Sequence, residues 1–323
     1  MTNTPFNNLD PDLILGAVES VKYQCTGSLS ALNSFENRVY QIGIEDQEPI
    51  IAKFYRPNRW TNEAIIEEHA FALALHDQEI PVVAPLRDMN GETLHTYQEY
   101  RFALFPRHGG RTLELDNEEQ LEWMGRFLGR IHAIGAIQPF THRMSLDVQS
   151  YGFKPYQYLL ENNFIPPAIR NNYMDAVESI LEKVSQRFAD IDNLRRIRLH
   201  GDFHLGNILW NLNGPHIVDL DDCLMGPAVQ DFWMLLSGAT VADSKLQLQC
   251  LLDGYREFFD FDNQEIYLIE ALRALRMIHY TGWLAKRWDD PAFPLNFPWF
   301  NTAKYWDEHL QHLRDQSHHL DQA

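Results

Sequence analysis

A change of texture near Gly110 constrains this chain more than any other feature. Before it, the runs RVYQIGI, PIIAKFY, PVVAPLRD and EYRFALFP are rich in β-branched and aromatic residues and are separated by polar stretches, the pattern of paired antiparallel strands. One segment among them has helical spacing. From Thr61 to His76, the residues Ile65, Glu68, Ala72 and Leu75 recur three or four positions apart, which sets Glu68 on the inward side of a helix. Pro106, Arg107, His108, Gly109 and Gly110 then mark a change of direction. Beyond them Leu121, Met124, Leu128 and Ile131 recur at helical spacing, and similar patterns cover residues 168–190, 244–260 and 264–288. The expected architecture is α+β: a small mixed lobe followed by a large helical one.

The 323 residues, 45% of them hydrophobic, are enough to bury a substantial core. Cys25, Cys223 and Cys250 lie far apart and form no CxxC pair, so neither a disulfide framework nor a thiolate zinc site is indicated and a reducing cytoplasm is expected. The N-terminus has no basic run and reaches Asp10 and Asp12 before any long apolar stretch, unlike a signal peptide. Even the apolar stretch from Ile266 to Leu284 carries Glu270, Arg273 and Arg276, which argues against a membrane span. A formal charge of −18 with no basic patch argues against nucleic acid as a partner.

The densest polar cluster is HGDFHLGN at positions 200–207, flanked by the apolar pieces IRL and ILW. After the turn signal Asn213, Gly214 and Pro215, the run HIVDLDD brings Asp219 out of a strand-like pair, so the two segments read as a hairpin-like unit. Phosphoryl transfer needs a carboxylate at the acceptor hydroxyl, oxygen ligands for magnesium, and a cation on the nucleotide phosphates. Asp202 is placed to orient or deprotonate an acceptor, and Asn207 and Asp219 offer the hard oxygens that Mg²⁺ prefers. Lys53, in the middle of the apolar strand IIAKFY, supplies the cation and calls for a carboxylate such as Glu68, with Glu67 as the alternative.

The order HGDxxxxN, a hydrophobic pair and an aspartate resembles the signature of the aminoglycoside phosphotransferase-like kinases. That resemblance implies a bilobal protein-kinase-like fold, with residues 1–105 as the nucleotide lobe and 106–323 as the helical lobe. It implies Asp202 as catalytic base, Asn207 and Asp219 as magnesium ligands, Lys53 as the phosphate-binding lysine and Glu68 as its helix partner. It also casts His200 and Asp231 as braces of the catalytic loop. Within the family, LNSFENRVYQ, IIAKFYRPNRW, LHGDFHLGNILW, VDLDDCLMGPAVQDFWML and RWDDPAFPLNFPW resemble a bacterial branch of serine/threonine protein kinases acting in stress response. By that resemblance Ser34 lies at the ATP phosphates, where there is no GxGxxG loop. The expected substrates are ATP and protein Ser/Thr hydroxyls, including the enzyme's own, with a monomeric cytoplasmic enzyme. A kinase of small alcohols uses the same chemistry, and a catalytically inactive nucleotide-binding scaffold would typically have lost Asp202, Asn207, Asp219 or Lys53, all present here.

Other residues carry plainer expectations. Asp221 and Asp222 read as surface or capping acids, and His132 as a satisfied core histidine. The run DPAFPLNFPWF is too aromatic for a linker and is expected to pack, whereas His318 and His319 fall in a polar stretch that reads as a mobile tail.

Overall fold

A computed structural model of the chain describes residues 5–112, 115, 117–212, 214–237 and 240–322. Residues 1–4 of the polar N-terminus and Asn213 of the predicted turn lie outside these. Helix α1 (Pro11–Ser20) starts at Asp10, whose carboxylate accepts the Leu13 N–H, with proline at its first position where no donor is needed. Strands β1 (Cys25–Ala31), β2 (Arg38–Ile44) and β3 (Ile50–Phe54) follow, then helix α2 (Asn62–Asp77), β4 (His95–Tyr97) and β5 (Tyr100–Pro106). The strands form one antiparallel sheet in the order β1-β2-β3-β5-β4.

The period of two along β3 divides its residues between the sheet faces. Ile50, Ala52 and Phe54 pack with Phe102, Leu104 and the Leu13, Ile14, Ala17 and Val18 side of α1. Ile51 and Lys53 point the other way, with Val39 and Phe105, into the large interlobe cavity. Thr61 caps α2 by accepting the Ala64 N–H at 3.2 Å, so the predicted helix starts where its cap dictates.

The run PVVAPLRD, read above as a strand, is not one. Pro81 and Pro85 have no N–H to give a ladder. What remains is an extended strap: Ile217 donates to Pro81 O, Val83 donates to Ile217 O, and Leu86 donates to Leu104 O. It ties the sheet to the segment that carries Ile217.

The helical part comprises β6 (Arg111–Thr112), α3 (Glu118–Gly135), α4 (Lys154–Glu161), α5 (Arg170–Ala189), β7 (Ile197–Leu199), β8 (Ile208–Asn211), β9 (Gly214–Ile217), β10 (Leu224–Gly226), α6 (Gln230–Trp233), α7 (Val241–Tyr255), α8 (Ile269–Lys286), α9 (Ala292–Asn296) and α10 (Ala303–Gln322). Strands β8 and β9 form the predicted hairpin, joined by β6, while β7 pairs with β10. Helices α3 and α7 cross at backbone distance, because a Cβ at Gly125 would stand 2.0 Å from Leu251 O and one at Gly254 would stand 1.9 Å from Glu122 O.

The C-terminal segment corrects the expectation of a mobile tail. Residues 303–322 form α10, which buries Trp306, His309, Leu310, Leu313, Gln316 and Leu320. Their spacing is helical, but the stripe is narrow and hidden in a polar average. His318 and His319 lie on its exposed face. The aromatic run before it packs as expected, with Phe293 and Phe300 buried. No helix among the described residues is long and apolar enough to cross a membrane.

Candidate active site

The cavity between the sheet and the helical part has a volume of about 730 Å³. Val39, Ile51, Phe105, Leu209 and Val218 give it an apolar end, and Ser34, Lys53, Glu68, Asp202, Asn207 and Asp219 all line it. The six residues singled out from the sequence therefore share one cavity.

Lys53 sits at its centre, buried. Its Nζ is 3.3 Å from Glu68 Oε1, 3.4 Å from Asp219 Oδ1 and 3.1 Å from Asp221 Oδ1. Burial disfavours the ammonium charge, but Asp221, Glu68 and Asp219 outweigh it and hold the Lys53 pKa well above its ordinary value. For Glu68 burial prevails: it lifts the carboxyl above the usual range, against Lys53 and against Arg143, whose Nη1 lies 3.5 Å away. Glu67 is not the partner. Its carboxylate accepts the backbone N–H groups of Thr141, His142 and Arg143 at 2.6–3.0 Å, pinning the loop after α3.

The surface reading of Asp221 is overturned. Asp219 adopts the left-handed backbone (φ 63°) and a 3₁₀ turn follows, which swings Asp221 inward rather than out to solvent. There Asp221 meets Lys53 and Arg59, and Arg59 also pairs with Asp222. Burial opposes its charge, yet Arg59, Lys53 and Arg143 hold the Asp221 carboxyl below the usual range. Asp222 stays half-exposed. Arg143 closes the cluster by donating to Asp221 O, Cys223 O and Ala64 O and by lying 4.2 Å over the Trp60 ring.

The HGD loop is braced from below. Buried Asp231 accepts the N–H groups of His200 and Gly201 at 2.9 Å each, and its Oδ2 is 3.1 Å from His132 Nε2. His132 Nδ1 in turn meets Tyr255 OH at 3.0 Å, so it is a satisfied core histidine. Gly201 has φ +84°, and a Cβ there would lie 2.4 Å from Asp222 O, so no other residue fits. His200 Nδ1 receives the Asp202 N–H, which places the ring proton on Nε2 for donation to Val218 O at 2.9 Å. Among the described residues no three His, Cys, Asp or Glu side chains gather as metal ligands.

Asp202 Oδ1 lies 2.9 Å from Arg276 Nη1 of α8, and Oδ2 lies 3.4 Å from His204 Nε2. Burial raises the Asp202 pKa, but the His204 hydrogen bond and Arg276 more than reverse this and leave the carboxylate ionised at neutral pH. Asn207 Nδ2 donates to Asp202 O at 2.9 Å, which leaves its Oδ1 to act as a ligand. Asn207 Oδ1 and the half-exposed Asp219 carboxylate are hard oxygens, and two such groups suit Mg²⁺, which keeps waters and phosphate oxygens for its other positions.

The Ser34 loop, between β1 and β2, reaches the same cavity, but its hydroxyl donates to Asn37 O at 2.9 Å. The loop is tied to the helical part by Glu36, which accepts from Trp283 Nε1 at 2.7 Å and lies 2.5 Å from Arg287 Nε, and within the sheet lobe Glu36 lies 2.8 Å from Arg56 Nε. Phe35 adds a ring contact to Phe297 at 4.9 Å. Sequence reading missed Glu36, Arg59, Arg143, Asp221 and Arg276. Arginines in otherwise apolar or aromatic runs, as in RPNRW, were the available signal.

The model of the phosphotransferase enzyme family matches residues 28–275. Stress response kinase A of Escherichia coli is 44% identical over 318 residues, spanning 98% of this chain and 94% of that protein. Serine/threonine protein kinase RdoA of Salmonella typhimurium is 44% identical over 312 residues, with 97% and 94% covered. Among solved structures, amicoumacin kinase hAmiN in complex with AMP-PNP, Ca²⁺ and Ami superposes with a TM-score of 0.76 at 18% identity, covering 95% of this chain and 94% of that one. The microcompartment-associated aminopropanol kinase gives 0.69 at 16% identity, covering 95% of each. Both share the bilobal kinase-like fold. The chain belongs to the phosphotransferase enzyme family, within the aminoglycoside phosphotransferase-like superfamily, and is a kinase.

Proposed function

We propose that this kinase transfers the γ-phosphoryl group of ATP, with Mg²⁺, to serine or threonine hydroxyls of proteins. The observation that carries the reading is Lys53, paired with both Glu68 and Asp219 in a cavity that Asp202 and Asn207 also line. The apolar end formed by Val39, Ile51, Phe105, Leu209 and Val218 suits a purine ring. Lys53 then reaches the phosphates, and Ser34 and its neighbouring N–H groups cover them once the Asn37 bond is exchanged. Residues 1–105 act as the nucleotide lobe and 106–323 as the catalytic lobe.

Asp202 orients the acceptor hydroxyl and takes its proton as the oxygen–phosphorus bond forms; the bond from the γ-phosphorus to the bridging oxygen breaks and ADP departs. Asn207 and Asp219 are the residues that would hold Mg²⁺, which would neutralise charge on the phosphates. The choice of a protein acceptor rests on the names of the relatives and on an open cleft. Only residues 220–225 separate Asp219 from Gly226, and they form a 3₁₀ turn and the start of β10 rather than a long occluding loop.

The test is transfer from γ-labelled ATP to a basic generic protein and to a panel of small alcohols. Phosphoserine or phosphothreonine, including on the enzyme itself, is expected, and Asp202→Asn abolishes it. Rapid ATP consumption with one small alcohol and no protein label replaces the acceptor assignment.

A further inference from the structure

The run RWDDPAFPLNFPW carries an acid that reaches two arginines of the sheet lobe. Asp290 lies between α8 and α9 and is 4% exposed. Its Oδ1 accepts the Ala292 N–H at 3.1 Å, which fixes the carboxylate on its own segment. Its Oδ2 lies 2.7 Å from Arg56 Nη2 and 3.8 Å from Arg38 Nη2, so two guanidiniums converge on it. Arg56 is also buried and lies 5.4 Å over the Phe293 ring of α9.

The same guanidiniums hold the backbone of the β1–β2 loop. Arg56 Nε donates to Glu36 O at 3.0 Å, and Arg38 Nη1 donates to Asn37 O at 3.1 Å. Phe35 O is shared by both at longer range, 3.4 Å from Arg38 Nη1 and 3.5 Å from Arg56 Nη2. The Arg56 N–H is itself taken by Asn37 Oδ1 at 3.0 Å. Three consecutive carbonyls thus turn to cations that one buried carboxylate anchors. A carbonyl drawn one way sets the N–H of its peptide the other way. Among the described residues no peptide bond is cis, so the N–H groups of Glu36 and Asn37 point away from the oxygens of Phe35 and Glu36. Among the described residues neither N–H has an acceptor, and Phe35, Glu36 and Asn37 all line the interlobe cavity. Successive unpaired backbone donors at a cavity wall suit an anion.

We propose that Asp290 is a positioning residue for the nucleotide: through Arg56 and Arg38 it turns the Phe35 and Glu36 carbonyls aside, so that the Glu36 and Asn37 N–H groups meet the ATP phosphates. The proposal rests on the reading of the β1–β2 loop as the cover of the phosphates. Asp290 touches no part of ATP; it acts through the loop.

The experiment is calorimetric titration of the full chain with adenosine and, in the presence of Mg²⁺, with a non-hydrolysable ATP analogue. Asp290→Asn keeps the shape of the side chain and removes its charge. It is expected to weaken binding of the analogue about tenfold to hundredfold, the scale of a lost charge-assisted hydrogen bond, with adenosine unchanged within about twofold. Arg56→Lys keeps the charge without the fork and should give a smaller loss of the same kind. It is the variant to read should Asp290→Asn fail to fold, and retained adenosine binding reports an intact purine end in either variant. The double variant should lose no more than Asp290→Asn alone, because both substitutions break one brace. Equal losses of adenosine and analogue, unchanged or tighter binding of the analogue, or additive losses in the double variant overturn the proposal. A wild type that binds the analogue no more tightly than adenosine overturns the phosphate-cover reading together with the proposal. No acceptor takes part in the titration, so the choice between protein and small alcohol stands or falls separately.

Discussion

Replacing Lys53 by methionine keeps the volume of the side chain and removes the charge at the centre of the site. Three carboxylates lie within 3.4 Å of Nζ, two of them on the buried residues Glu68 and Asp221. Breaking a buried pair by removing one partner costs about 3–5 kcal/mol. The lower end applies here because neither buried acid is left alone: Glu68 keeps Arg143 at 3.5 Å and Asp221 keeps Arg59. A loss of about 3 kcal/mol against a total of about 5–15 leaves the protein folded at room temperature. Urea unfolding of Lys53→Met, Glu68→Gln and the double variant should therefore give a coupling energy of about 1–3 kcal/mol. Calorimetry should show weaker ATP binding in both variants that lack Lys53. The Glu67→Gln variant serves as the control, since among the described residues Glu67 bonds backbone N–H groups of residues 141–143 and not Lys53. Coupling of Lys53 to Glu67 and none to Glu68 would refute the reasoning.

Asp219→Ala should abolish the magnesium dependence of nucleotide binding, and binding that is identical across a magnesium titration removes Asp219 as a ligand. Buried Glu265 accepts the Val229 N–H at 2.9 Å, and burial lifts its carboxyl from 4.5 to about 7. The folded state thus favours the protonated acid, a contribution fully present below pH 4.5 and lost as pH rises through about 7. Glu265→Gln should accordingly gain stability relative to wild type between those limits, by up to about 3 kcal/mol at pH 8, and a pH-independent difference in urea midpoints contradicts the assignment. Gly125→Ala should cost about 1–3 kcal/mol by forcing α3 from α7, and an unchanged midpoint would mean the crossing is looser than its 2.0 Å Cβ approach to Leu251 O.

Much of the site was legible because its chemistry is local. HGDFHLGN places acid and amide five residues apart on one loop, helical periodicity set Glu68 on the inward side of α2 while Glu67 stayed open as the alternative partner, and an otherwise apolar strand isolated Lys53. The helix α10 shows where averages mislead: a stripe one residue wide, Trp306, Leu310, Leu313 and Leu320, organises a polar segment. The strap at PVVAPLRD shows the opposite error, since apolar composition suggested a strand where two prolines forbid the ladder.

What residue order determined is the set of groups carried on single elements: the HGD loop, Asp219 at the end of its hairpin, Lys53 on β3 and Glu68 on α2. Only the tertiary structure decided which distant charges meet them. Asp221 turns inward because the left-handed Asp219 and the following 3₁₀ turn redirect the chain, and Arg59, 162 residues earlier, is there to meet it. Arg276 reaches Asp202 because α8 packs beside the HGD loop, and Glu36 reaches Trp283 and Arg287 because the β1–β2 loop closes on the C-terminal end of the same helix. A buried charge requires a counter-charge, so sequence can announce the need; which residue answers it depends on how separate elements pack, and local periodicity holds no record of that.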